Sequence, residues 1–155
     1  MRIRTAVPDD APAVASTLFR AFLKFEPPYT PEAFAATVSS IDRIRLRLNE
    51  GPIWAPLRDE AVVGTVSVVP KGDALYVRGM AVAPVARGRG IGCSLIKRVE
   101  ARATERGFER LYLNIAPFLV GAIRLYEKCG FVRSADGPDD LFGTPLFAME
   151  KKLSE

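Results

Sequence analysis

The spacing of apolar residues changes along the chain, from a short alternating segment to a helical period and then to β-branched runs. Residues 2–7 alternate well enough to predict a first strand. Apolar residues then recur at intervals of three and four, which predicts a helix over 8–25. Thr30, followed by proline, predicts the N-cap of a second helix that keeps its apolar phase as far as Leu48.

The middle of the chain has the composition of buried strands. Three β-branched segments separated by turn residues predict strands at 53–57, 61–69 and 74–82. In the last of these, Leu75 and Val77 share one face, whereas Met80 and Val82 fall on the other. A one-residue slip at Arg78-Gly79 would return all four to one face, so we predict a β-bulge there.

The last third of the chain alternates between helix and strand patterns. The predicted elements are a loop at 85–92, a helix at 91–106, a strand at 111–115, a helix at 117–129, a strand at 131–134, a loop at 137–143 and a strand at 145–153. This order predicts a mixed sheet covered by helices on both faces, in a single domain that spans 1–155.

Composition and charge narrow the class of protein. The chain has 155 residues, is 48% apolar and carries a net charge of +4, which is ordinary for one globular domain. The longest apolar run, Ala61–Val69, is too short to span a bilayer, and the first residues lack the apolar run of a signal peptide. We therefore expect a cytoplasmic protein without membrane contact. Its two cysteines, Cys93 and Cys129, form no close pair in the sequence and are expected to be reduced thiols.

The chain contains no histidine, which removes several kinds of chemistry at once. A Ser-His-Asp triad, a histidine general base and a histidine metal site are all excluded. The basic residues are mostly arginines spread along the whole chain, without interleaved aromatic residues or a recognisable reader motif. We therefore expect no nucleic-acid partner.

The segment Arg87-Gly88-Arg89-Gly90-Ile91-Gly92 has the pattern of an anion-binding loop, because it follows a strand and opens a helix. Glycines let the backbone approach a ligand closely, and the free N–H groups of a helix start point at negative charge. Arg87 and Arg89 can also neutralise a diphosphate. The loop is not a Rossmann motif, since Cys93 stands where that pattern needs its third glycine, and no Walker motif is present.

Two motifs together resemble a known family. The loop at 87–92 matches the [Q/R]-x-x-G-x-[G/A] signature of the GNAT N-acetyltransferase superfamily, and AIRLYEKCGF at 122–131 resembles its second signature, A-x-x-L-Y-x-x-x-G-F. The two occur in the family's order, separated by a helix and a strand. The resemblance extends less sharply over almost the whole chain.

The resemblance implies a fold and a cofactor. The fold would be α/β (α+β), with a mostly antiparallel sheet of about six to seven strands, helices on both faces and a bulged fourth strand. The co-substrate would be acetyl-CoA, with no metal. Its pyrophosphate would lie on the backbone of the loop and its pantetheine arm between the fourth and fifth strands. The implied cofactor residues are Met80, Ala81, Val82, Arg87, Gly88, Arg89, Gly90, Ile91, Gly92, Cys93 and Asn114.

The implied mechanism is direct attack of an amine on the thioester, with Tyr126 as the general acid for the leaving thiolate. A packing role for Tyr126 is the alternative. The general base stays open, because Tyr76 stands where some members have glutamate; Asp73, Glu26 or an ordered water are candidates. Cys93 leaves a covalent acetyl-cysteine route as a lesser alternative. Leu119 replaces an asparagine that many members have, so a non-catalytic acyl-CoA-binding domain is the rival function.

The acceptor is the least determined part of the resemblance. In this fold the acceptor cleft is commonly walled by the segment between the first two helices, here 22–29, and by the final strand pair, here 137–144. These segments supply Phe22, Phe25, Glu26, Tyr29, Asp136, Asp139, Asp140 and Phe142. Aromatic rings and carboxylates favour a small cationic amine, slightly ahead of a peptide N-terminus. Core packing explains the two phenylalanines equally well, and the family leaves a homodimer open.

Overall fold

The computed structural model describes residues 1–135 and 140–153, and its centre is a single large sheet. The strands are β1 Arg2–Thr5, β2 Ile53–Arg58, β3 Ala61–Val62, β4 Gly64–Lys71, β5 Ala74–Val82, β6 Arg110–Ile115, β7 Val132–Ser134, β8 Asp140–Leu141, β9 Thr144–Pro145 and β10 Phe147–Lys152. The helices are α1 Ala11–Phe22, α2 Pro31–Val38, α3 Ile41–Leu48, α4 Ile91–Glu105 and α5 Val120–Lys128. Short 3-10 turns lie at Pro8–Asp10, Leu23–Phe25 and Pro84–Ala86.

The large sheet runs in the order β1-β2-β4-β5-β6-β10-β7, with β3 paired to β2 at one side. Every neighbouring pair on this path is antiparallel except β5 and β6, which are parallel. The predicted mixed, mostly antiparallel sheet is therefore confirmed. The strand predicted as the fourth is β5 here, because the segment 61–69 is divided between β3 and β4.

The two faces of the sheet carry different helices. On one face, Val66 and Val77 are buried against α4, where Leu95 and Val99 are fully buried. On the other face, Ala81 packs in a second cluster formed by α1 and α3. Burying one such aliphatic side chain stabilises the fold by about 1.5–3 kcal/mol. The alternation of apolar residues along β4 and β5 therefore fixes which side of the sheet each helix covers.

The predicted bulge is present in β5. Thr65 of β4 pairs with Ala81, but Ser67 pairs with Arg78, so β5 has one more residue than β4 in this interval. Gly79 lies there with a φ of +59°, a left-handed conformation that glycine adopts without strain. The bulge returns Met80 to the face of Val77, as the apolar pattern requires.

Two predicted boundaries were wrong. The helix predicted from Thr30 to Leu48 is two helices, because Ser39 has a φ of +38° and Ser40 starts α3 by accepting a hydrogen bond from the Arg43 N–H at 3.1 Å. The helix predicted from Pro117 begins at Val120, after a turn in which the Leu119 N–H donates to the Ala116 carbonyl. Helical apolar phase continues across such a break, so the pattern alone did not show it.

The end of the chain is also more divided than predicted. The last predicted strand is β9 and β10, and β9 forms a separate two-stranded hairpin with β8. The loop predicted at 137–143 lies partly outside the described residues. Within the described part, the Asp140 carboxylate accepts the Gly143 N–H at 2.8 Å and closes the hairpin turn.

An ion pair links the first strand to the start of α1. Arg4 donates to both carboxylate oxygens of Asp10, at 2.6 and 2.8 Å, and the Val7 N–H donates to the same carboxylate at 2.8 Å. The hydrogen bond from Arg4 is the main cause that lowers the pKa of Asp10, helped by the Val7 N–H. This contact fixes how the chain enters the helix.

Candidate active site

A gap opens between β5 and β6 on the side of the bulge. Over the described residues the two strands pair at Ala74–Arg110, Leu75–Leu111 and Tyr76–Tyr112, and the register goes no further. The bulge at Gly79 follows three residues after the last of these pairs. Met80, Ala81 and Val82 lie on β5 and Asn114 on β6, in each case beyond the part where the two strands pair.

The glycine loop ends at the start of α4. Gly88 and Gly90 have φ values of +79° and +77°, and a Cβ at either would meet nothing within 4 Å. The first intrahelical bond runs from the Ser94 N–H to the Gly90 carbonyl at 3.1 Å. The N–H groups of Ile91, Gly92 and Cys93 precede that bond and have no partner within the helix. The loop therefore presents backbone donors and open space, which suits an anionic group.

The Arg87 side chain makes two contacts that were not predicted. Its Nε donates to the Val82 carbonyl at 3.3 Å, and its Nη2 donates to the Ala21 carbonyl at 3.0 Å. Arg87 thus ties the loop to the end of β5 and to α1, so its side chain positions the loop. Arg87 and Arg89 are both exposed, so both stay candidates to contact a diphosphate.

Helices α4 and α5 meet at Gly92, a contact that sequence reasoning missed. A Cβ on Gly92 would lie 2.7 Å from Leu125 Cδ2 and 3.6 Å from Met80 Cε, so any larger residue would force the Leu125 side chain to move. The same approach brings α5, and with it Tyr126, towards the loop and the gap. A glycine in the first turn of a helix is the sequence signal for this contact. From the sequence alone, that glycine indicates only that a ligand can approach the backbone closely.

Tyr126 is buried on α5. Its ring packs edge-on against Phe131 with the ring centres 5.4 Å apart. Burial is the main cause that raises the pKa of the phenol above its usual range. The hydroxyl therefore keeps its proton at neutral pH, which a general acid requires and which a packing role also permits.

The two cysteines are neighbours in space. Cys93 Sγ and Cys129 Sγ are 3.8 Å apart, although 36 residues separate them in the chain. Both are free thiols. Burial first, and then the contact with Cys93, raise the pKa of Cys129 to about 11. The two cysteines are far apart in the sequence, and the contact between α4 and α5 brings them together in three dimensions.

The structure removes one candidate base. Asp73 accepts a hydrogen bond from Arg110 at 3.1 Å, at the end of β5 that is paired with β6. At about 3.3 Å per residue, Asp73 lies about 20 Å along the strand from Gly79. Glu26 is exposed in the segment that follows α1 and stays a candidate. Tyr76 packs against Tyr112, with the ring centres 5.9 Å apart.

The two segments expected to wall an acceptor cleft do meet. The Thr30 N–H donates to Thr144 Oγ1 at 2.9 Å, and Thr30 Oγ1 donates to the Phe142 carbonyl at 2.8 Å. In the first segment, Phe22 and Phe25 lie partly buried against the core, and Tyr29 is buried with its ring edge-on to Phe118 at 4.8 Å. In the second segment, Phe142 is exposed. Asp140 closes its own turn, and Asp136 and Asp139 lie outside the described residues.

A polar cluster beside the gap was not predicted. Four buried side-chain atoms lack a hydrogen-bond partner in the described part of the chain: Arg47 Nη1, Ser67 Oγ, Arg78 Nε and Asn114 Oδ1. They come from one helix and three adjoining strands, so no local pattern of the sequence joins them. In residues 1–135 and 140–153 there is no group of three His, Cys, Asp or Glu side chains that could hold a metal ion, and no helix long and apolar enough to cross a membrane.

The chain belongs to the GNAT acetyltransferase family. The sequence profile of the Acetyltransferase (GNAT) family matches residues 13–131, which include both signatures, the bulged strand and the gap. The resemblance to the GNAT superfamily, which was drawn from the two motifs, is therefore confirmed at the level of the family.

Individual relatives are more distant. The chain is 33% identical over 116 residues to glucosamine 6-phosphate N-acetyltransferase 1 of Oryza sativa. The matched region covers 68% of this chain and 66% of that protein. It is 34% identical over 82 residues to the N-acetyltransferase YjgM of Escherichia coli, covering 50% and 49%. The match thus spans about half to two thirds of these curated relatives. The solved PaiA N-acetyltransferase of Thermoplasma acidophilum, in complex with coenzyme A, has the same fold, with a TM-score of 0.83, 16% identity and 98% of each chain covered.

Proposed function

We propose that this protein is an acetyl-CoA-dependent N-acetyltransferase that moves an acetyl group to the primary amine of a small molecule or peptide. The observation that carries the proposal is the end of the pairing between the parallel strands β5 and β6, together with the glycine loop that links β5 to the start of α4. A gap between two parallel strands leaves backbone groups free to pair with an extended ligand arm.

The residues present fit the cofactor. The N–H groups of Ile91, Gly92 and Cys93, beside the open positions of Gly88 and Gly90, suit a pyrophosphate. Met80 to Val82 and Asn114 suit a thin pantetheine arm, because they line the gap from both strands. When bound, acetyl-CoA supplies an acetyl group activated as a thioester. The complex of the Thermoplasma relative with coenzyme A supports this assignment.

In the proposed reaction, the residues of this chain transfer protons and position the two substrates. In the proposed reaction the amine nitrogen forms a bond to the acetyl carbon while the carbon–sulfur bond breaks, and the sulfur leaves as a thiolate. Tyr126 Oη holds a proton at neutral pH and can give it to that sulfur, then regain one from solvent. The amine loses its proton to Glu26 or to water. Direct attack needs no protein nucleophile, so Cys93 is assigned to packing.

We propose a cytoplasmic location, because two free thiols 3.8 Å apart suit a reducing compartment. The rival is a non-catalytic acyl-CoA-binding domain. Two observations favour it: Leu119, at the N-cap of α5, has no polar side chain to offer the pantetheine arm, and Tyr76 has no carboxylate to accept a proton. Turnover separates the two functions, since both require the cofactor to bind.

The first experiment measures binding and turnover together. A ligand present at a hundred times its Kd stabilises the folded state by about 2.7 kcal/mol, or about 5–10 °C in Tm for a chain of this size. We expect that shift with coenzyme A and with acetyl-CoA, and release of CoA thiol when an amine panel is added. No shift at millimolar ligand would contradict both functions, and a shift without thiol release would favour the rival.

A matched pair of variants tests the loop. Gly90 and Gly107 stand at the two ends of α4, both with a φ of +77° and both with nothing within 4 Å of an added Cβ. Gly90→Ala and Gly107→Ala should therefore lower Tm by similar amounts. Only Gly90→Ala should weaken the stabilisation by coenzyme A, because its methyl group occupies the ligand's space. Equal responses to coenzyme A would remove the loop from the binding site.

A further inference from the structure

The unpartnered polar atoms all lie on the sheet face that carries α3. Residues that pair across strands share a face, and Ser67 pairs with both Ile53 and Arg78, with Ile53 packed in the cluster of α1 and α3. On β6, Asn114 is two residues from Tyr112, whose ring meets Tyr76 on this same face. The cluster therefore surrounds the gap on the side opposite to α4.

Arg47 is the centre of this cluster. It lies in the last turn of α3, and its Nη1 is buried without a hydrogen-bond partner among the described residues. A Cβ on Gly79 would lie 3.1 Å from that nitrogen, so the guanidinium rests on the bulge. Burial, followed by the charges of Arg78 and Arg43, lowers the pKa of Arg47 to about 10. A buried guanidinium without a partner is destabilising, and an anion would relieve that.

With Arg78 included, the cluster has an excess of positive charge. Its Nη2 is paired with Glu50, while its Nε is buried and has no partner in the described part of the chain. Glu50 is half exposed and is already engaged by Arg78, which lowers the pKa of its carboxyl. Among the described residues, Glu50 is the carboxylate whose charge acts on Arg43, Arg47 and Arg78. A cationic ligand would be repelled from this side.

We propose that Arg47 and Arg78 bind an anionic oxygen group, a carboxylate or a phosphate, on the acceptor amine. The inference rests on the proposed function and names the substrate class of that same site. Arginine suits such groups because its planar fork donates two parallel hydrogen bonds. We expect this anionic acceptor instead of a cationic one, because Phe22, Phe25 and Tyr29 pack against the core and Asp140 closes a turn.

The placement also separates the two substrates. The cofactor loop, Tyr126 and α4 lie on one face of the sheet, and Arg47 with Arg78 lies on the other. The acceptor would therefore approach the gap from the α3 side while acetyl-CoA occupies the α4 side. Asn114 Oδ1, which also lacks a partner in residues 1–135 and 140–153, would accept a hydrogen bond from the incoming amine.

The test compares acceptors that differ only in the anion. Amino acids are paired with their amides, and an amino-sugar phosphate is paired with the free amino sugar, so that carboxylate and phosphate are separate arms. We expect kcat/KM to be about ten- to one-hundredfold higher for the anionic member of at least one pair, which is the range of one charge-assisted contact. Equal or higher values for the neutral members of both pairs would overturn the proposal.

Variants assign the preference to Arg47. Arg47→Gln should remove most of the anionic preference, and Arg47→Lys should keep part of it. Arg45→Gln, on the exposed side of the same helix, is the matched control and should keep all of it. If Arg47 has only a structural role, Arg47→Gln should lower Tm and should reduce the turnover of both members of a pair equally. An unchanged ratio in Arg47→Gln would therefore contradict the proposal.

A binding measurement keeps this test apart from the test of the enzyme. N-acetyl amino acids and their amides are titrated by calorimetry into the protein saturated with coenzyme A. Tighter binding of the acids to wild type and to Arg45→Gln, with the difference lost in Arg47→Gln, would support the anion site even if no acceptor is turned over. Failure of the proposed function appears as missing CoA thiol release with every acceptor. Turnover or binding without any preference for the anion overturns the inference alone.

Discussion

Replacing Gly79 by alanine tests the bulge and the Arg47 contact with one methyl group. Gly79 has a φ of +59°, and a non-glycine residue in that left-handed region costs about 1–2 kcal/mol. For a chain of this size that corresponds to a fall in Tm of about 2–8 °C. The new Cβ would lie 3.1 Å from Arg47 Nη1, so the guanidinium must move by a few tenths of an ångström.

Gly72 provides the matched control. It has a φ of +61° in the turn between β4 and β5, and a Cβ there meets nothing within 4 Å. Gly72→Ala therefore carries the same backbone strain without any contact with Arg47. Thermal unfolding followed by circular dichroism should show similar losses for the two variants.

Kinetics separate the two variants where stability does not. Gly79→Ala should reduce the preference for anionic over neutral acceptors, because Arg47 is displaced from the bulge. Gly72→Ala should leave that preference at the wild-type value. The reasoning is refuted if Gly79→Ala keeps both the wild-type Tm and the wild-type preference, since neither the strain nor the contact would then exist.

Three further predictions concern single titratable groups. Tyr126→Phe should lower kcat by about 10²-fold, the lower end for a general acid, while stabilisation by coenzyme A is kept; unchanged kcat would assign Tyr126 to packing. Arg4 lowers the pKa of Asp10, so wild type should be more stable than Asp10→Asn, with the full difference above about pH 4 and a loss of that difference as the pH falls further. Urea titrations that show the same difference in unfolding free energy at every pH would contradict this. Burial and the contact with Cys93 raise the pKa of the Cys129 thiol to about 11. Alkylation of Cys129, measured site by site, should therefore be slow at pH 8 and faster in Cys93→Ser. Rapid alkylation in wild type would be inconsistent with that environment.

The sequence by itself determined the elements whose signal is local. The alternation in 74–82 placed the bulge at Gly79, because the faces of a strand are fixed by a period of two. The glycine loop before α4 and the motif around Tyr126 carried the family resemblance, since each is contiguous in the chain. Where a local signal was interrupted, as at Ser39, the apolar phase continued and hid the break between two helices.

Only the tertiary structure decided what lies beside these elements. The distance between Cys93 and Cys129, the fit of Gly92 against Leu125 and the meeting of Thr30 with Thr144 all arise where distant segments pack. The arginine cluster is the clearest case. Arg47 looks like any exposed arginine of an amphipathic helix, and its Nη1 becomes buried, without a partner among the described residues, only because α3 lies across the bulge of β5. Burial and the distance between charges set the chemistry of such a group, and both are properties of the packed fold.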